Sequence, residues 1–192
     1  MTDRPYHHGN LRRALLDASA QLVGERGPAA LSLREVARRA GVSHAAPAHH
    51  FTDRRGLLTA LAAEGWGLLA ARLEDTRAAG AEFAELGVSY VLFATEHPAH
   101  FAVMRTPGLL DDADPDLLAA RDRANALLYA GAGVPESDRG LAASAGGRGR
   151  VLAAWSLVHG LAVLMQEGLV VPGPGEDVAA VARAVTAQLR DA

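Results

Sequence analysis

The sequence predicts an all-α protein in two parts, an N-terminal three-helix module centred on a helix-turn-helix and a larger C-terminal helical domain, with about nine helices in total. Three observations predict it. Hydrophobic residues make up 49% of the chain but aromatics only 5%, so the core must be built mainly from Ala, Leu and Val, and strand-favouring residues are sparse. Apolar side chains recur at helical spacing over most of the length. Gly and Pro interrupt that pattern where helices would end, and no alternating apolar run competes with it. A length of 192 residues accommodates a small module joined to a larger one.

The first helix is predicted from Asn10 to Arg26, where Leu11, Leu15, Ala18 and Leu22 form one apolar stripe, Leu16 and Val23 widen it, and Gly27-Pro28 ends it. Ser32 followed by Glu35 has the spacing of a capping box for a second helix running to about Ala40, with Leu33, Val36, Ala37 and Ala40 facing inward. Gly41-Val42-Ser43 supplies a turn: Gly41 can adopt a left-handed conformation, Val42 can plug the core, and Ser43 can cap a third helix ending near Phe51. Pro47 falls in the first turn of that helix, where the missing N–H is tolerated. A long helix from about Asp53 to Ala79 follows, carrying Leu57, Leu58, Leu61, Leu68, Leu69 and Leu73. Further helices are predicted over 81–96, 98–105, 114–131, 147–168 and 175–190, separated by Pro98, Pro107-Gly108, a Gly-rich stretch after Gly131, and Pro172-Gly173-Pro174-Gly175. The domain boundary is expected inside the long helix, giving 1–54 and 55–192.

Charge is unevenly divided along the chain. Residues 1–60 hold nine Arg against five Asp/Glu, a net +4, with five of the eight His, while the remainder is net −7. A basic N-terminal module on an acidic body suits a polyanion at one end only. The absence of Cys excludes disulfides, thiol nucleophiles and thiolate metal sites. The polar start, Met1 to Arg13, has no signal-peptide core, and the most apolar segment, Val151 to Met165, is short and interrupted by Ser156, His159 and Gly160. A cytoplasmic location is expected. No nucleophile elbow, Walker loop or zinc motif is present, so neither an enzyme nor a cofactor-dependent protein is expected.

The stretch Leu31–Leu58, LSLREVARRAGVSHAAPAHHFTDRRGLL, resembles the helix-turn-helix of the tetracycline-repressor (TetR) family of bacterial regulators. The resemblance rests on Ser32, the Val36-Ala37 pair, Ala40-Gly41-Val42-Ser43, Phe51 and Arg54, each at the family's spacing. It implies a sequence-specific DNA-binding transcriptional regulator, a repressor released by a small-molecule effector, working as a homodimer on a pseudo-palindromic operator of double-stranded DNA. It also implies that His44, Ala45, His49 and His50 read bases, while Ser32, Arg34, Ser43 and Arg54 contact phosphates or cap toward them. Physically, a slim third helix with a polar outer side would fit the major groove, roughly 12 Å wide. Where the family usually has Leu-Tyr this chain has Pro47-Ala48, so the tyrosine's phosphate contact must move, to His50 or to Arg4 in the N-terminal arm. Clustered imidazoles titrating near pH 6.5 would make the affinity pH-sensitive.

The C-terminal part resembles the family's effector-binding and dimerisation domain, with Trp155, His159 and Gly160 matching a Trp-His-Gly type of that domain. Candidate effector-pocket residues are Trp66, Phe93, His97, Phe101, Met104, Trp155 and His159; for Trp155 and His159 core packing comes first, with pocket lining and dimer contact as the alternatives. A mostly apolar pocket with imidazoles would suit a small hydrophobic molecule bearing an acceptor or acidic group. His97 and His100 lack a convincing third ligand, so no metal is expected. The last two helices are apolar on more than one face, which points to dimer contacts through Val151, Val158, Ala162, Met165, Val181 and Val185. The alternative is a TetR-like protein without specific DNA binding that acts as a protein-interaction module.

Overall fold

A computed structural model describes residues 8–134 and 145–189. The described residues form eight α-helices and four short 3-10 segments, with no strand. The helices are α1 (His8–Arg26), α2 (Leu33–Arg39), α3 (Arg54–Ala78), α4 (Phe83–Glu96), α5 (Pro98–Met104), α6 (Pro115–Gly131), α7 (Ala145–Gln166) and α8 (Val178–Thr186). None of the described helices is long and apolar enough to cross a membrane.

Local chemistry explains the ends. Ser32 accepts a hydrogen bond from the Glu35 amide at 3.3 Å and caps α2, while the Glu35 carboxylate turns away to pair with Arg26 at 2.7 Å. Asp53 caps α3 by accepting from Gly56 N–H at 2.8 Å, and Asp177 caps α8 by accepting from Ala180 N–H at 2.7 Å. At the end of α2, Gly41 has φ of 69°, and the amides of Gly41 and Val42 donate back to the carbonyls of Arg38 and Ala37 at 3.3 and 3.0 Å. That reversal needs a left-handed residue, which glycine adopts without Cβ strain.

The fold divides into two packing units, Met1–Gly65 with Ala99–Leu118, and Trp66–Pro98 with Ala119–Ala192. In the first, Leu15, Leu16, Leu22 and Val23 of α1 are buried with Val36 and Ala37 of α2, Phe51, and Leu57, Leu58 and Leu61 of α3. The buried Ser19 hydroxyl donates to its own helix at Leu15 O, 2.7 Å away. Gly65 lies under α5, where an added Cβ would sit 2.8 Å from Met104 Sδ and 3.0 Å from His100 Cβ.

In the second unit α4 is central, burying Leu86, Val88, Tyr90, Val91 and Phe93, and it packs on α7 and α8. Gly87 permits the close approach, since a Cβ there would meet Thr186 Cγ2 at 2.8 Å and Val158 Cγ1 at 2.9 Å. Around this core Arg72 pairs with Glu96 at 2.7 Å, Arg183 with Glu85 at 3.0 Å, and Arg123 with Glu74. The packing units differ from the sequence division at 54/55, since the first twelve residues of α3 and Ala99–Met104 of α5 are packed with the N-terminal helices.

Candidate nucleic-acid interface and C-terminal site

The segment after the Gly41 turn departs from the α-helix expected over 43–51. It is a chain of tight turns with a 3-10 segment at Ala46–His49. Ala46 N–H donates to Ser43 O at 3.0 Å, Ala48 N–H to Ala45 O at 3.2 Å and His50 N–H to Pro47 O at 3.0 Å, all three residues apart. Pro47 is the physical reason. It has no N–H to donate to Ser43 O, and its ring crowds that carbonyl, so the four-apart ladder cannot begin there. Ala45, not Ser43, is the N-cap, and it makes no side-chain cap bond. The missing N–H therefore matters more than the sequence suggested.

The short segment still sorts its side chains into two faces. Ala46 and Pro47 are buried with Phe51 below them, while Ser43, His44, Ala45, Ala48 and His49 are exposed and His50 is half-buried beside the Phe51 ring. Small and imidazole side chains thus form the outer surface. On α2, Arg34 and Arg38 are exposed, with Arg38 3.6 Å from Glu35. Ser32 is exposed and committed to its cap. Arg4 lies outside the described residues.

Arg54 sits differently from a free phosphate ligand. Its Nη2 donates to the carbonyls of Pro28 and Ala29 at 3.0 and 2.9 Å, and its Nε is buried without a partner. It anchors the turn after α1. The other cations of this unit are also largely committed: Arg13 to Asp17 and Glu64, Arg26 to Glu35, Arg39 to Glu25, Arg55 to Leu110 O, and Arg12 over the Phe51 ring at 5.5 Å. Sequence reading missed these long-range partners because no local spacing signals them.

A further cluster went unnoticed in the sequence. Glu64 of α3 accepts from Arg13 at 2.7 and 3.1 Å and lies 3.0 Å from His100 Nε2. The His100 hydrogen bond, followed by the Arg13 bonds, holds the Glu64 carboxyl down at about 2, and the same carboxylate raises the Arg13 guanidinium further.

The seven effector candidates are divided between the two units. Phe101 is buried and Met104 half-buried in the first unit; Trp66, Phe93, His97, Trp155 and His159 belong to the second. Within the second unit they form two ring groups. Phe93 and His97 have centroids 5.2 Å apart, and Trp155 and His159 are 5.7 Å apart, with His159 Nδ1 2.7 Å from the Tyr90 hydroxyl. Tyr90 was not foreseen as that partner. An apolar cleft lined by Phe83, Gly87, Leu128, Val151, Ala154, Trp155 and Val158 takes in Trp155 but none of the other six.

The dimer candidates divide by face. Val151, Val158 and Ala162 are buried inside the protomer, so they do not face outward as expected. Met165, Val181 and Val185 are half-buried. Among the described residues, the large apolar side chains that α7 leaves exposed are Leu152 (44%), Trp155 (42%) and Leu164 (40%). Apolar residues on two sides of a helix do not reveal which side meets its own core.

Two family models match the chain. Residues 15–61 match that described as bacterial regulatory proteins, tetR family, and residues 83–189 that described as tetracyclin repressor-like, C-terminal domain. The HTH-type transcriptional regulator BetI of Rhizobium meliloti (strain 1021) is 43% identical over 49 residues, 26% of this chain and 24% of that protein. The match thus spans about a quarter of the length of such curated relatives. A solved structure of a protein with unknown function from Rhodococcus sp. RHA1 is 34% identical, covers 97% of each chain and superposes with a TM-score of 0.75. The TetR family transcriptional regulator PfmR from Thermus thermophilus shares the fold at 21% identity, with a TM-score of 0.66 over 91% of this chain and 96% of that one.

Proposed function

The chain belongs to the TetR family of bacterial regulatory proteins, and from that premise we propose that it is a sequence-specific DNA-binding transcriptional regulator, a repressor released by a small-molecule effector. Residues 1–54 carry the DNA-binding function and residues 55–192 the effector and dimer functions. The protein works as a homodimer on a pseudo-palindromic stretch of double-stranded DNA.

One observation carries this reading: the outward surface of the segment after the Gly41 turn is made of His44, Ala45, Ala48 and His49, with Arg34 and Arg38 exposed on α2. Small side chains allow the backbone close to base edges, and flanking cations suit phosphates. His44, Ala45, His49 and His50 face the groove, where the imidazoles meet bases or the phosphates beside them, Arg34 and Ser43 face the backbone, and Arg4 extends the contact from the N-terminal arm. Ser32 and Arg54 act by holding α2 and the turn after α1 in place.

The effector is a small, mostly apolar molecule, received among the aromatic and imidazole side chains of the C-terminal domain. The exposed Leu152 and Trp155, about one turn apart on α7, are the side chains that meet a second copy, in place of the buried Val151, Val158 and Ala162. Electrophoretic shift of the intergenic DNA beside the protein's own gene, competed by a scrambled duplex, tests the proposal. A shift that survives the competitor supports it; a protein that shifts neither duplex favours the protein-interaction role instead.

A further inference from the structure

The DNA-binding head spends its arginines internally. Of the arginines described in the first packing unit up to residue 60, Arg13, Arg26 and Arg39 are paired with carboxylates, Arg54 and Arg55 donate to backbone carbonyls, and Arg12 lies over Phe51. Arg34 and Arg38 remain on the outer side of α2, the latter only loosely engaged with Glu35. The net positive charge of this region therefore overstates the fixed cations available to a polyanion.

The imidazoles are disposed in the opposite way. His44 and His49 are exposed, His50 is half-buried with its ring against Phe51, and among the described residues none of the three meets a carboxylate at ion-pair distance. The charged groups on the surrounding elements are accounted for. Arg12 of α1 faces Phe51; on α2, Glu35 is taken by Arg26 and Arg38, beside Arg34; ahead of α3, Asp53 accepts from Gly56 N–H; and Arg54 is turned to Pro28 and Ala29. Among the described residues no carboxylate lies at ion-pair distance from the three imidazoles to compete with an incoming phosphate.

We infer that His44, His49 and His50 form a proton-dependent phosphate-contact surface, so that DNA uptake by this head is coupled to proton uptake. The inference rests on the proposed DNA-binding reading. Protonation gives an imidazole a positive charge, and a phosphodiester oxygen beside it favours that charged form. Each imidazolium that meets a phosphate displaces one more condensed counterion, so the count of ionic contacts rises as pH falls.

The test is the salt dependence of binding to a short mixed-sequence duplex, followed by fluorescence anisotropy at about pH 8 and about pH 5.5. Expected is a slope of log K against log salt that steepens at the lower pH by up to about 0.9 per imidazole per head, and an affinity gain of up to about eightfold per imidazole near 0.1 M salt. The triple variant H44Q/H49Q/H50Q loses the change. The H44Q/H49Q pair, altered only at exposed positions, keeps at most the share of His50, so a folding defect at residue 50 does not decide the outcome. A slope that is the same at both pH values, or that steepens equally in the variants, overturns the inference while leaving DNA binding standing. Failure to bind at either pH in low salt removes the DNA-binding reading itself.

Discussion

Arg13 of α1 and Glu64 of α3 are joined by two parallel hydrogen bonds, 2.7 and 3.1 Å long, and the same carboxylate lies 3.0 Å from His100 of α5. Three helices are thereby tied through one half-buried side chain. Because the Glu64 carboxyl is held at about 2 rather than its ordinary 4.5, its contribution is fully present above about pH 4.5 and is lost as pH falls toward 2. Glu64→Gln is expected to lower stability by about 2 kcal/mol at neutral pH. Urea denaturation at pH values on both sides of that window checks the sign: the gap between wild type and variant must narrow with acidification, and a gap that is constant or widens contradicts the assignment.

Gly87→Ala places a methyl against Thr186 Cγ2 and Val158 Cγ1, both closer than 3 Å. The expected loss is about 1–3 kcal/mol despite alanine's better helix propensity. Gly160, also helical, has nothing within 4 Å of its virtual Cβ, so Gly160→Ala is expected to leave the protomer's fold intact or slightly stabilised. Thermal unfolding of the two variants side by side separates these outcomes.

Arg54→Ala removes the anchor of the turn after α1, two hydrogen bonds to backbone carbonyls. Stability should fall by about 1–3 kcal/mol. If Arg54 acts only by positioning, the salt slope of DNA binding stays as in wild type under conditions where the variant is folded. A slope reduced by about one contact instead identifies Arg54 as a phosphate ligand.

Two neighbouring positions of α7, one exposed and one buried, make opposite predictions. Trp155→Glu changes a side chain that is 42% exposed and should shift the protein toward monomer in sedimentation while leaving its circular dichroism unchanged. Val158→Glu buries a charge and should unfold it. A folded Trp155→Glu variant that stays dimeric excludes this face as the interface.

Helix existence was legible wherever a cap or a breaker had a local cause. Ser32, Asp53 and Gly41 behave as their residue types dictate, and α3 to α6 lie within a few residues of the predicted spans. The third helix was not, because the consequence of Pro47 depends on whether the carbonyl four residues back is needed, and here Ser43 O is taken by Ala46 instead. The partners of Arg54, Glu64 and His159 were invisible for another reason: they come from elements far apart in sequence. The α7 faces were misassigned because Val158 and Trp155 are both apolar, and only the packing of α4 decides which is inside.

Specific DNA binding by the head after the Gly41 turn is tested directly by the affinity of the intact protein for the intergenic duplex against a scrambled duplex at one fixed salt concentration. Specific recognition gives a preference for the intergenic duplex of about 10³-fold or more, with two head domains engaged about 34–36 Å apart. Equal affinity for both duplexes, or none for either, would contradict it.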